Sequence, residues 1–180
     1  MAKHFKLSIL LLIAFTLKSC VNETNTLPGS TGKTAELLVV AEKQFYESEA
    51  GEHIKFVFSK DVEMLPQIEP MFNLVNISPN DFEGMFKTFR NIFIADINSS
   101  LKEPTLTLKY DLWAQPQLII KVTAPSDSIF INLIKEHGNI FISKYLEIER
   151  KRMINAFKGI ENVNIRLNLQ KDYGFGMIFP

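Results

Sequence analysis

The chain has 180 residues, 46% of them hydrophobic and 22% charged, with 15 Phe, a composition that excludes a disordered or low-complexity chain. Its 20 basic and 20 acidic residues cancel, but Lys3, Lys6 and Lys18 lie in the first nineteen positions with no acid among them, so the remainder carries about −3. That mildly acidic body excludes the electrostatic footprint of a nucleic-acid binder or of a basic patch for anionic lipid.

The chain opens with Lys3 and Lys6, an apolar run over residues 7–17, and then Leu17-Lys18-Ser19-Cys20. This is the pattern of a bacterial lipoprotein export signal, in which a small residue before the cysteine permits cleavage and leaves a lipidated N-terminal cysteine. The run is too short to cross a bilayer, which takes about 20 apolar residues. Lys18, where a lipobox usually has a small residue, keeps an ordinary soluble signal peptide as the competing reading. Cys20 is the only cysteine, so a disulfide within the chain and a cysteine-based metal cluster are both excluded, and acylation accounts for the thiol. Residues 1–19 are therefore read as signal peptide, 20–34 as a lipidated tether and 35–180 as one domain.

Gly29-Ser30-Thr31-Gly32-Lys33-Thr34 in the tether half-matches a phosphate-binding loop. It lacks the first glycine, which is Leu27 here, and the feeding strand, so a plain turn is the better reading.

Residues 36–41 read as a buried strand and 43–58 as an amphipathic helical stretch broken at Gly51. Pro66 and Pro70 stiffen the corner 64–70. A second strand is expected over 72–77. Ser78-Pro79 then opens a helix that buries Phe82, Met85, Phe86 and Phe89.

Residues 91–97 read as a third strand, and 105–113 with 117–124 as a hairpin. The longest helix starts at Ser126 and runs past a Gly138-Asn139 interruption to Lys158, with Gly159 as its stop. Residues 163–169 alternate like one more strand, and the apolar end 173–180 is strand-like too. Interspersed helices with β-rich neighbours predict an α+β fold, a mixed or antiparallel sheet packed against helices.

Certain motifs admit a functional and a structural reading. Gln67 and Glu69, flanked by prolines, could present a carboxylate on a stiff loop, or simply shape a connection. Arg90 could grip an anion through its planar fork, or pair with a carboxylate such as Glu69. Trp113, beside Ala114, Pro116 and Gln117, could stack on a sugar or a proline, or belong to the core. Glu147, Glu149, Arg150, Lys151 and Arg152 alternate in sign, as on a solvated helix face with local ion pairs. Beyond the signal segment only His53 and His137 are present, with no His-Glu-x-x-His helix and no Gly-x-Ser-x-Gly elbow, so neither a zinc hydrolase nor a serine hydrolase is indicated.

Several of these motifs together carry a resemblance. Leu27-Pro28 with Ser30, Gly32 and Lys33, Leu65-Pro66-Gln67 with Glu69-Pro70 and Phe72, Arg90-Asn91-Ile92, Trp113-Ala114 with Pro116-Gln117, and Glu149-Arg150 resemble, in order and approximate spacing, the Bacteroidetes lipoprotein family known as domain of unknown function 4837. The resemblance runs from the tether to about Pro180. Members of that family continue into a second half that this chain lacks, which would make residues 35–180 the N-terminal half of a longer architecture. It implies a lipidated envelope protein, and no reaction, ligand or partner.

The leading expectation is a lipid-anchored protein on the periplasmic or surface side of a bacterial envelope, attached to the membrane through Cys20. It acts as a non-catalytic binding or assembly module for an envelope protein, without cofactor, metal or nucleic acid. A ligand-binding module for peptide, glycan or lipid, with Gln67, Glu69, Arg90, Trp113 and Gln117 as binding candidates, is the alternative. An envelope hydrolase is the third reading; it requires two acids, or a serine with His53 or His137, to converge in a cleft.

Overall fold

A computed structural model describes residues 26–176. The segment read as a signal peptide, Cys20 and the last four residues of the apolar end lie outside the described residues. The chain forms strands β1 (Glu36–Val40), β2 (Asn73–Ile77), β3 (Asn91–Ile97), β4 (Thr105–Tyr110) and β5 (Leu118–Ala124), and helices α1 (Lys43–Tyr46), α2 (Glu49–Phe58), α3 (Asp127–Lys158) and α4 (Val163–Tyr173). The strands make one mixed sheet in the order β2-β1-β3-β5-β4. β1 pairs in parallel with β2 and β3, and β3 with β5; only β4 runs antiparallel, as the outer arm of the expected hairpin.

The run Glu-Leu-Leu-Val-Val of β1 becomes a central strand because both of its faces are apolar, as a strand flanked by parallel neighbours requires. Leu37 and Val39 join Phe93, Leu118 and Ile120 beneath the helices. Leu38 and Val40 join Ile92 and Ile119 on the opposite face. The helices cover one face alone, and Phe82, Phe86, Phe89 and Trp113 pack on the other.

Helix α3 supplies most of the helical layer. At 32 residues it is about 48 Å long, and Phe130, Ile131, Ile134, Phe141, Ile142, Tyr145 and Ile148 form its buried stripe. Tyr145 is fully buried and its hydroxyl donates to the Ile92 carbonyl at 2.7 Å. Burial pushes that phenol well above its ordinary range.

The structure differs from the sequence expectations at six places. Gly51 does not break a helix: the break falls at Glu47 and Ser48, where Ser48 caps α2 by accepting from the Ala50 amide at 3.2 Å. Gly51 lies inside α2, because a Cβ there would stand 2.0 Å from the Tyr46 carbonyl oxygen. Gly138 likewise does not interrupt α3. It admits α2, whose Val57 Cγ1 would meet a Cβ at 2.7 Å.

The expected helix after Ser78 is two short 3₁₀ turns, Pro79–Asp81 and Gly84–Thr88. Phe82 (ψ 73°) and Gly84 (φ +52°) leave helical backbone, and Met85 is 71% exposed while Phe82, Phe86 and Phe89 pack against the sheet. Residues 163–169 are helical rather than extended. Asn162 caps α4 by accepting from the Ile165 amide at 3.3 Å, and the helix satisfies its backbone internally. Tyr173 ends α4 instead of starting a strand, and Gly174 (φ +74°) turns the chain. The tether, finally, is stitched to the domain from Pro28 onward: the Gln115 amide donates to the Pro28 carbonyl at 2.9 Å and the Thr31 amide to that of Thr88 at 2.8 Å.

Gly51→Ala is expected to lower stability to urea by about 1–3 kcal/mol, although alanine is the better helix former, because the added methyl meets backbone. Tyr145→Phe gives a pH signature. A folded-state pKa raised above its unfolded value contributes stability that is present below the unfolded pKa and lost as pH rises beyond it. Chemical unfolding at neutral pH should show the variant about 1 kcal/mol less stable. The difference should shrink above pH of about 10, the ordinary range of a free phenol.

Candidate functional site

Where α3 crosses the N-terminal ends of β1, β3 and β5, its apolar stripe gives way to Glu149 and Arg152, both buried. They continue the spacing of Tyr145 and Ile148, so the helix face that carries the core also carries this pair. Asn91, fully buried at the start of β3, completes the cluster.

All five N–H groups of Arg152 are engaged. Nε and Nη2 donate to the Pro116 carbonyl at 3.3 and 2.9 Å, Nη2 also to the Arg90 carbonyl at 2.7 Å, and Nη1 to Asn91 Oδ1 at 3.1 Å and Glu149 Oε1 at 2.7 Å. Asn91 Nδ2 donates to the same Glu149 oxygen at 2.7 Å and to the Glu36 carbonyl at 3.0 Å. Burial pulls the Arg152 guanidinium down to about 10; Glu149 opposes that shift and Arg90 adds to it.

Arg90, just before β3, does not meet Glu69. Its Nη1 lies 3.6 Å from Glu149 Oε2 and donates to Thr34 Oγ1 at 3.3 Å. Gln67 and Glu69 sit on an exposed loop that is pinched shut by backbone bonds from Val62 to Glu69 (2.9 Å) and from Met71 to Lys60 (2.8 Å), with Met64 and Ile68 at 99% and 84% exposure. The structure therefore separates these two candidates from the cluster's bonding network.

Gln117 is fully buried and works as a staple. Its Nε2 donates to the Lys87 and Phe89 carbonyls at 2.6 and 2.7 Å, and its Oε1 accepts from the Trp113 amide at 3.0 Å. Trp113 packs edge-on against Phe82 with ring centres 5.6 Å apart, which is the core reading, while also walling a shallow cavity of about 210 Å³ with Ile94, Leu112 and Ile119. Sequence reasoning missed Asn91, Glu149 and Arg152 because the charges around residue 150 were read as one solvated face. Glu147, Arg150 and Lys151 do follow that reading: all three are exposed, and Glu147 bridges Lys151 at 2.8 Å and Lys144 at 3.4 Å. The helical spacing from Phe141 through Tyr145 and Ile148 was the available signal.

His53 Nδ1 lies 3.1 Å from the Glu49 carbonyl of its own helix, and His137 Nε2 3.8 Å from its neighbour Glu136. Among the described residues no three His, Cys, Asp or Glu side chains are grouped to hold a metal ion. No helix of the described residues is long and apolar enough to cross a membrane.

Fold and cluster together define an α+β domain with a five-stranded mixed sheet, one helical layer and a buried Arg-Glu-Asn clamp at the N-terminal strand ends. The chain belongs to the family described as Domain of unknown function (DUF8532), whose model matches residues 30–158. This is a different family from the one its loop motifs resemble. The match spans every member of the clamp and ends with α3. No curated protein and no solved structure matches the chain.

Removing the Glu149 carboxylate leaves Arg152 buried with its counter-charge gone. Glu149→Ala is accordingly expected to lose about 3–5 kcal/mol of stability. Glu69→Ala, on the exposed loop, should leave the thermal midpoint unchanged; thermal unfolding of both variants beside the parent measures this.

Proposed function

We propose that this protein is a lipid-anchored component of a bacterial cell envelope, held to the membrane through acylated Cys20, and that its domain is a non-catalytic binding or assembly module for another envelope protein. The observation that carries the assembly reading is the apolar surface of α4 and its flanks. Ile160, Val163, Ile165, Leu167, Tyr173 and Phe175 are 43–71% exposed, and α4 has no buried residue. Six exposed apolar side chains gathered on one short helix and its flanks support a contact with another molecule. The export signal and single cysteine support the anchor.

A ligand-binding module for a small molecule is the second reading, favoured by the cavity beside Arg90, which is walled by Thr34 and Arg152 as well.

The anchor is tested by the intact mass of membrane-extracted protein. Cleavage before Cys20 plus acyl chains is expected, with both lost in Cys20→Ser; a soluble, unacylated parent removes the anchor. For the assembly surface, Ile165→Asp with Leu167→Asp should abolish crosslinking to the envelope partner at an unchanged thermal midpoint. Crosslinking that survives both substitutions defeats this surface.

A further inference from the structure

The clamp carries an excess of positive charge that its own residues do not neutralise. It contains two guanidiniums, Arg90 and Arg152, and one carboxylate, Glu149, with side-chain exposures of 16%, 6% and 8%. Glu149 Oε1 is fully engaged by Arg152 and Asn91 at 2.7 Å each, so its charge is committed to Arg152. Arg90 keeps only the long 3.6 Å approach to Oε2 and the 3.3 Å bond to a neutral hydroxyl. Its Nε is buried without a hydrogen-bond partner. An under-neutralised, largely desolvated cation is costly unless a counter-charge is supplied.

The place for that counter-charge is open. A cavity of about 200 Å³ lies against Thr34, Arg90, Glu149 and Arg152, and its remaining wall is Met153, Ala156 and Phe157, the next turns of α3. The polar wall offers one uncompensated positive charge, which fits a monoanion. The apolar wall begins immediately beside it, so a ligand that satisfies both has a charged head and a hydrocarbon part.

We propose that this cavity binds the carboxylate of a small amphiphilic molecule, the head on Arg90 and Thr34 and a short apolar chain along Met153, Ala156 and Phe157. Asp111 adds its charge on the Arg152 side, so the counter-charge is lacking at Arg90; one added negative charge supplies it there, and a planar carboxylate matches the guanidinium fork. Glu149 remains on Arg152 and sets an upper limit on ligand charge, since a dianion would face it across the cavity. The proposal names the ligand class for the ligand-binding reading above and rests on it. It does not depend on the anchor or on the α4 surface, whose tests read mass and crosslinking.

The test is calorimetric titration of the full chain in chloride-free buffer with hexanoate, acetate, hexylamine and chloride. Saturable one-to-one binding of hexanoate is expected, about tenfold or more tighter than acetate because of the buried methylenes, with no binding of hexylamine. Ala156→Phe fills the cavity from an exposed helix position without touching the ion cluster; it should abolish hexanoate binding at an unchanged thermal midpoint. Arg90→Gln should weaken it at least about tenfold, the loss expected for a charge-assisted contact. Absence of hexanoate binding, its persistence in Ala156→Phe, or equal affinity for hexanoate, acetate and chloride each overturns the proposal.

Discussion

A parallel sheet leaves the N-terminal ends of its strands with carbonyl groups that neighbouring strands do not all reach, and in this protein one side chain closes that end. Arg152 gathers the carbonyls of Arg90 and Pro116, which precede β3 and β5, while Asn91 holds that of Glu36 at the start of β1. Glu149 joins the two through a single oxygen. The clamp ties α3 to the starts of three strands and forms part of the wall of the cavity beside Arg90. Its buried charges make it a poor source of net stability and a strong source of specificity, because any other placement of α3 strands a guanidinium without partners.

The placement of the clamp also bears on function. In open sheets with parallel strands, ligands commonly sit outside the carboxyl ends of the strands. This cluster lies at the opposite end, and most of its hydrogen-bonding capacity is internal. That favours a structural role for Arg152, Glu149 and Asn91, with Arg90 left as the member that faces a cavity with charge to offer. The same division separates Gln117, whose polar atoms are consumed by the backbone of the 3₁₀ segment, from a binding role.

Much of the fold was legible because the strands are short apolar runs between turn residues. β3 coincides with its expected limits, and the β4–β5 hairpin and Ser126 start of α3 were read directly. The misreadings share one cause: glycine and alternation were interpreted locally. Gly51 and Gly138 permit close approach of backbone or a second helix, which only the packed structure reveals. Val163, Ile165 and Leu167 alternate as a strand would, yet α4 is helical and leaves them exposed. For the site, Arg90 and Gln117 were singled out from loop motifs, whereas their roles depended on residues sixty or thirty positions away.

The sequence by itself determined the single cysteine, the apolar strand runs and the α+β class of the fold, because these depend on composition and short-range pattern. Tertiary structure alone decided that Glu149 and Arg152 are interior, that Glu69 is not the partner of Arg90, and that Trp113 is held by Phe82. Each of those outcomes turns on which helix face meets which strand end. A charge reads the same in sequence whether water or an arginine neutralises it, and only burial distinguishes the two.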